Sequence, residues 1–342
     1  MPNNKRRPLK LNYFNRFVFT INMIVLAIAY SIYLNKFFSP SEIPYFNFVS
    51  IGYPIVFVFV LLFLVYWILV SWKHFVIIFF LSLGTLLPLY LSYPLINIYR
   101  QSKVEKNLSV MTFNPHGFKA DGTEELVKNN LADIILFQEG RKGSHKPLDG
   151  YYAEYYGVLS IYSKYPIIQT NRITEKDDET SGVAAYADID LGFDTIRVVN
   201  IYMEPMYITK DLVKDVINSD TTSEMEISSK KIENKLVLGM KFHEKQLKEI
   251  VPFLEKSPHP ILVGSDLNST PGSYEYEQLT KYLYDSYIDR AQGNGTTFHG
   301  FKFPIRIDYL FHSKKFEVVK SKVIRKKFSD HFPVIVDYHL HK

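Results

Sequence analysis

Among its 342 residues the chain has no cysteine. That absence excludes disulfides, thiolate zinc sites and cysteine nucleophiles together. It leaves the compartment open, because a sizeable domain folds without disulfides on either side of a membrane. Acidic residues are almost missing from the first hundred positions, where Glu42 stands alone beside eight Lys/Arg. Charge of either sign is missing from three stretches, 17–35, 43–72 and 75–99. Internal repeats and low-complexity tracts are missing too.

What is present divides into two unlike parts. Eight of the 40 Lys/Arg and one of the 35 Asp/Glu lie in the first hundred residues. The other 242 residues therefore hold 32 and 34, a net charge of −2. The basic pI of about 8.9 belongs to the N-terminal part. The remainder is near neutral and long enough for one domain with a full core.

A helix needs about 20 predominantly apolar residues to cross a bilayer. The three uncharged stretches have 19, 30 and 25 residues. Thr20, Asn22 and Ser31 dilute the first, and Trp72, Tyr90 and Tyr93 suit interfacial positions. A cleaved secretory signal explains the first stretch less well, because no small-residue cleavage site follows it and two more spans do. The expected organisation is a basic tail over 1–16 and a transmembrane region over 17–99. Its helices fall at about 17–35, 49–72 and 75–97, followed by a linker at 100–107 and a folded domain over 108–342. Lys5, Arg6, Arg7, Lys10 and Arg16 place the N-terminus in the cytoplasm. Lys73 and His74 agree, so three crossings put the folded domain outside the cytoplasm.

The C-terminal part reads as short β-rich runs bounded by turn residues. They fall at 108–113, 133–137, 158–162, 184–189, 195–202, 261–263, 305–311 and 334–338. Residues 124–130 look helical. Segment 206–257 is charged and lacks a strand pattern. Within it Ile232, Leu236, Met240, Leu247, Val251 and Leu254 approximate a helical stripe. That stripe predicts a long amphipathic helix packed on a sheet, preceded by a Ser/Thr/Asp segment near 218–224. A polar face without strong basic character argues against a membrane-surface helix. The tyrosine pairs at 151–152 and 155–156 fit an aromatic core better than a substrate groove.

Polar residues close the apolar strands, where an α/β scaffold exposes side chains. Asn114 follows one run and Glu139 another. Asp266 and Asn268 follow a third, Asp308 lies in Arg306-Ile-Asp-Tyr, and Asp330-His331 precedes the last. An acid after a strand is by itself most often a turn or cap residue. As a set, these residues supply hard-oxygen ligands for a cation such as Mg²⁺, a histidine and a carboxylate to orient it. Phosphodiester hydrolysis needs an activated water, charge neutralisation on the phosphoryl oxygens and help for the leaving group.

The ordered set Thr-Phe-Asn114, Phe-Gln-Glu139, Tyr-Ser-Lys-Tyr-Pro (162–166), Gly-Ser-Asp266-Leu-Asn268-Ser-Thr-Pro, Arg-Ile-Asp308-Tyr and Ser-Asp330-His331-Phe-Pro resembles the endonuclease/exonuclease/phosphatase superfamily. Pancreatic deoxyribonuclease, apurinic/apyrimidinic endonucleases, sphingomyelinases and inositol polyphosphate 5-phosphatases belong to it. The resemblance covers about residues 107–342, and the hydrophobic spans resemble a bacterial branch anchored in the cytoplasmic membrane. It implies a four-layer α/β sandwich, two facing mixed sheets flanked by helices, after the three membrane helices. By resemblance, Glu139 binds catalytic Mg²⁺ or Mn²⁺ with Asn114 and Asp330 nearby. His331 contacts the scissile phosphate and is oriented by Asp308. Asp266 is the general base or the partner of the attacking water, and Asn268 bonds the phosphate. Tyr202 stands where many members carry histidine and where the apurinic/apyrimidinic endonucleases also carry tyrosine. It either assists the phosphoryl group or simply closes its strand. His116 stands where some members carry an acid, and is either part of the site or a loop residue.

Three functions follow as alternatives. The first is a membrane-anchored, divalent-metal-dependent hydrolase of a phospholipid headgroup or other phosphoester. The anchor, the short linker and the net −2 domain favour it. The second is a nuclease, favoured by Tyr202 but opposed by the charge, since nucleic-acid affinity rests on clustered Lys/Arg. The third is a non-catalytic binding module, opposed by the completeness of the polar set.

Overall fold

The computed structural model describes residues 12–94, 102–175, 181–219, 221–290, 293–300 and 304–341. Lys5, Arg6, Arg7 and Lys10 of the basic tail, the C-terminal end of the third expected span, residues 100–101 of the linker and residue 220 lie outside them.

The N-terminal part is a bundle. Helix α1 (Tyr13–Ser31) continues through a 3-10 turn, Ile32–Lys36. Helix α2 spans Tyr45–Val70. The third segment is α3 (Trp72–Ser82), a 3-10 turn at Leu83–Thr85, and α4 (Leu86–Ser92). All three segments are long and apolar enough to cross a membrane. Each begins three or four residues before the expected start. Asn12 caps α1 by accepting from the Asn15 N–H at 2.8 Å, and the extended backbone of Ser71 separates α2 from α3. The 3-10 turn breaks the regular carbonyl ladder. Tyr30 and Tyr53 hydroxyls donate to the carbonyls of Leu81 and Thr85, both at 2.7 Å, and Tyr33 donates to that of Gly84. Irregular backbone in an apolar bundle is tolerated when neighbours satisfy it in this way.

The C-terminal part begins with β1 (Leu108–Phe113), α5 (Thr123–Lys128), β2 (Ile134–Phe137), β3 (Tyr152–Tyr156), β4 (Leu159–Ser163) and β5 (Ile167–Arg172). Next come β6 (Val183–Asp190), β7 (Thr195–Tyr202), α6 (Lys210–Ile217), α7 (Thr222–Glu255) and β8 (Ile261–Asp266). The chain ends with α8 (Tyr274–Leu279), β9 (Tyr284–Asp285), α9 (Ser286–Arg290), β10 (Asp308–His312), β11 (Phe316–Val323) and β12 (Val334–Leu340). One sheet has the order β11-β12-β1-β2-β4-β3, the other β5-β6-β7-β8-β10-β9. Both are mixed: β1 runs parallel to β2 and β7 to β8, and the other pairs are antiparallel.

Alternation along the strands builds the layers. Val110, Leu136 and Ile161 of the first sheet meet Ala187, Val198 and Leu262 of the second in the central core. The opposite faces carry Met111, Ile135 and Phe137 under α5, and Val199, Ile201 and Val263 under α7 and α8. This is the four-layer α/β sandwich. The sheets approach closely at Gly264, where an added Cβ would lie 2.4 Å from Leu136 Cδ1. A side chain there would require Leu136 to shift within the core.

Two polar seams fasten this domain to one end of the bundle. Asn35 Nδ2 donates to Gly272 O at 2.8 Å. Asn47 accepts from Tyr274 N at 2.7 Å and donates to Glu275 Oε2 at 3.1 Å. Arg306 reaches Leu91 O at 2.7 Å, and Tyr93 donates to Pro304 O at 3.1 Å. Every one of these contacts lies at the end of the bundle away from Arg16 and Trp72.

Candidate active site

Sheet register brings the sequence-predicted residues to one end of the sandwich. Tyr202 and Asp266 are partners at the ends of parallel strands β7 and β8. Asp308, the first residue of β10, pairs with Asp266 across the antiparallel ladder. In the facing sheet, Phe113 and Phe137 pair at the ends of β1 and β2, so Asn114 and Glu139 leave from the same edge. Asp330 and His331 arrive there just before β12. A buried amide link joins the sheets beneath: Gln138 Nε2 donates to Asn200 Oδ1 at 2.7 Å and to Thr112 Oγ1 at 2.9 Å.

The polar groups form one connected cluster. Asn114 Nδ2 donates to Glu139 Oε1 at 3.1 Å and to Asp266 Oδ2 at 3.0 Å. The Tyr202 hydroxyl donates to the same Glu139 oxygen at 3.0 Å. Asp266 Oδ1 accepts from the Asn268 N–H at 3.0 Å. His331 Nδ1 faces both oxygens of Asp308, at 3.0 and 2.9 Å, and its Nε2 lies 3.9 Å from Asp266 Oδ2. Asn114, Asp266, Asp308, His331 and Tyr202 are buried. Glu139 and Asp330 are partly open to solvent, with side-chain exposures of 30% and 38%.

Sequence reasoning left two positions open. Tyr202 does more than close its strand, because its hydroxyl is on Glu139. His116 lies in the site: its Nδ1 is 3.4 Å from Glu139 Oε2 and 3.9 Å from Asp330 Oδ1. Asn268 has a structural engagement that the motif did not announce, donating Nδ2 to Met203 O at 3.0 Å. Two supporting residues were missed. Thr297 Oγ1 accepts from the N–H groups of Ile307 and Asp308, both at 3.0 Å. Ser329 Oγ donates to Asn114 O at 2.8 Å. Neither belongs to a periodic pattern, and Ser329 was visible only as the neighbour of Asp330-His331.

The backbone is strained where the cluster is densest. Among the described residues, non-glycine residues with positive φ are His116, Phe118, Glu139, Tyr207 and Asn268. The left-handed region costs about 1–2 kcal/mol for an ordinary L-residue. Three of the five belong to the cluster, a pattern that accompanies preorganised sites.

Electrostatics follow from burial and from neighbours. Burial pushes the Asp266 carboxyl up to about 7, against the opposing pull of His331. Burial alone would lower His331, but Asp308 and then Asp266 outweigh it and raise the imidazole to about 10. Burial, followed by the charges of Glu139 and Asp266, raises the Tyr202 phenol far above its usual value, so it acts as a donor. Asp308→Asn is expected to bring the His331 titration down toward the ordinary histidine range. Imidazole ¹⁵N shifts of the metal-free full chain would show it. An unchanged alkaline titration in the variant would refute the assignment of Asp308 as the group that holds the charge.

The donor chemistry fits a divalent cation. Among the described residues, no Lys or Arg forms an ion pair with Glu139, Asp266, Asp308 or Asp330; only His116 and His331 do. The half-open carboxylates Glu139 and Asp330 are the hard, charged oxygens that Mg²⁺ or Mn²⁺ takes up beside water and phosphate. Asp266, Asp308 and His331 also lie within 4.8 Å of one another and are close enough to hold an ion. Both Asp308 oxygens, however, already face His331, and a protonated His331 would repel a cation.

Comparison with known proteins gives the following. Residues 111–331, well over half the chain, match the Endonuclease/Exonuclease/phosphatase family. Residues 15–95 match a domain of unknown function. No curated protein sequence matches the chain. Among solved structures, the chain is similar to a mannosyl-6-phosphatase of Bacteroides thetaiotaomicron, with 16% identity, covering 68% of this chain and 100% of that one at a TM-score of 0.46. It is similar to the catalytic domain of human Nocturnin, with 12% identity over 68% and 94% and a TM-score of 0.49. An endonuclease/exonuclease/phosphatase of Bacteroides vulgatus is similar at 18% identity over 68% and 99%, also with a TM-score of 0.49.

Proposed function

Since the chain belongs to the endonuclease/exonuclease/phosphatase family, whose members hydrolyse phosphoesters, we propose that it is a membrane-anchored, divalent-metal-dependent hydrolase acting at a bilayer surface. Its substrate on this reading is a phospholipid headgroup or another phosphoester that reaches the membrane. The observation that carries the proposal is the convergence of Glu139, Asn114, Asp266, Asp308 and His331 at the end of a sandwich fastened to three apolar helices.

In this mechanism Glu139 holds Mg²⁺ or Mn²⁺, with Asn114 Oδ1 and Asp330 as further oxygens. When bound, the ion supplies positive charge to the phosphoryl oxygens. Asp266 accepts the proton of the attacking water, a role for which a carboxyl raised toward neutrality is suited. His331, charged and fixed by Asp308, stabilises the negative charge that grows on the phosphoryl group. Tyr202 donates its hydroxyl proton in a hydrogen bond and fixes Glu139. Asn268 holds its loop against Met203 and keeps its backbone N–H on Asp266. A cytoplasmic N-terminus and an extracytoplasmic catalytic domain complete the reading, supported by the basic residues before and at the start of α1 and by Lys73 at the start of α3.

The test uses the full chain in nanodiscs, because the bundle contacts the site's own loops. Metal-dependent cleavage of a bis-aryl phosphate and of phospholipid headgroups is expected, with little nicking of supercoiled plasmid. Plasmid nicking that exceeds both would make the nuclease reading primary. Glu139→Gln is expected to move the Mg²⁺ activation midpoint up by about tenfold or more, since even the loss of a residue that only supports a ligand typically costs about 10–100-fold in metal affinity. An unchanged midpoint would remove Glu139 from the metal set.

A further inference from the structure

Only the C-terminal half of α7 packs on the sandwich. Its inward stripe is Met240, His243, Leu247, Ile250 and Leu254, all buried. Before Gly239, no residue of α6 or α7 is buried among those described. With about 3.6 residues per turn, the face opposite the buried stripe carries Ile227, Lys231, Leu238, Lys241, Lys245 and Lys248. Every one of these is exposed, and no acid interrupts the line. The line is about 32 Å long at 1.5 Å per residue. The sequence alone gave α7 a mixed polar face; fixing the buried stripe sorts the lysines from the acids.

The line borders the bundle. Ser41 N, in the connection between α1 and α2, donates to Glu244 Oε2 at 2.9 Å, and Glu244 in turn pairs with Lys248 at 2.8 Å. Lys230 pairs with Glu233 at 2.9 Å. Helix α7 therefore meets that end of the bundle at Glu244, and the exposed Leu238 lies about 9 Å along the helix from it. Ile217 on α6, 75% exposed, and Met225 add apolar surface to the same hairpin.

We propose that this face of α7 is a bilayer-surface contact, in which Ile227 and Leu238 enter the headgroup boundary and the lysines meet anionic headgroups around the bundle. The proposal rests on reading α1 to α4 as membrane-crossing. Exposed apolar residues beside a row of lysines, next to an apolar bundle, suit a helix that lies at a bilayer surface. Lysines within a Debye length of anionic lipid are attracted to it. A purely polyanion-binding strip would have no use for Ile227 and Leu238 on the lysine line.

The absence of cysteine makes a direct test available. Leu238→Cys in the full chain carries a single nitroxide, and Lys314→Cys in the β10–β11 turn serves as the water-facing control. Both positions are exposed, so neither change threatens the fold. In nanodiscs the 238 label is expected to collide with oxygen in preference to a nickel chelate, more strongly with anionic than with zwitterionic lipid. The 314 label is expected to show the reverse preference. A 238 label as open to nickel as the 314 label in both lipids would overturn the proposal. So would protection of that label by an oligonucleotide but not by lipid, which would make the strip a nucleic-acid surface. The readout needs no turnover, so it fails independently of the catalytic reading.

Discussion

Asp266→Asn is expected to cut phosphoester hydrolysis by about 10²–10⁴-fold, the usual contribution of a general base, with the fold retained. The side chain is buried and held from two sides, by the Asn268 N–H on Oδ1 and Asn114 Nδ2 on Oδ2. Asparagine keeps the shape and the first acceptor. At the second position it sets an amide donor against Asn114's own donor, and it cannot take a proton. Burial raises the Asp266 carboxyl to about 7, so the native residue can accept a proton near neutral pH and release it again. Rates on a bis-aryl phosphate should be compared at saturating metal, with thermal unfolding of both proteins as the control. A folded variant within threefold of the parent rate would remove Asp266 from the chemistry and reopen the binding-module reading.

His243→Leu is expected to destabilise the full chain by about 3–5 kcal/mol, the cost of stranding one member of a buried ion pair. His243 and Glu275 are both fully buried, with Nδ1 2.7 Å from Oε1. The other imidazole nitrogen lies on the backbone oxygen of Glu204 at 2.6 Å. Burial alone would raise Glu275, but His243 holds it below its ordinary value of 4.5. A carboxyl with a depressed folded pKa stabilises above its unfolded pKa. The contribution of the Glu275 carboxylate should therefore be present above about pH 4.5 and fade as the pH falls through its lower folded value. Chemical denaturation in detergent at pH 7 measures the loss. A change under 1 kcal/mol would mean that water or rearrangement relieves Glu275.

The same pair shows what the sequence did and did not disclose. Eight central strands were legible because each alternates or runs apolar between turn residues. The strands that were missed, β3, β5, β9 and β11, are the four sheet edges. An edge strand buries less and carries a weaker pattern, as in Ile167–Arg172, where exposed positions outnumber buried ones. The site was legible because its residues sit at strand ends within short motifs. Its supports Thr297 and Ser329 were not, because they are single polar residues outside any periodic pattern, and the same holds for His243 and Glu275, 32 residues apart. Segment 206–257 gave up its long helix to periodicity and its interruption to the Ser/Thr/Asp residues near 218–224, but the direction of its lysines required the packed structure. Asn35 and Asn47 gave no signal beyond the ends of hydrophobic spans, yet they grip the loop that follows Asp266.

That grip changes what the N-terminal helices are for. A domain on a loose leash explores a volume, and its rate rises with the local density of substrate. Here the loop after Asp266 is bonded to Asn35 and Asn47, and Arg306, two residues before Asp308, is bonded to the end of α4. On the proposed function, the reacting centre is thereby held in a jig, at a set height and angle above the helix ends. A phosphoester at the wrong depth would not be reached by waiting. Exchanging the helices for an unrelated anchor would restore the address without restoring the aim.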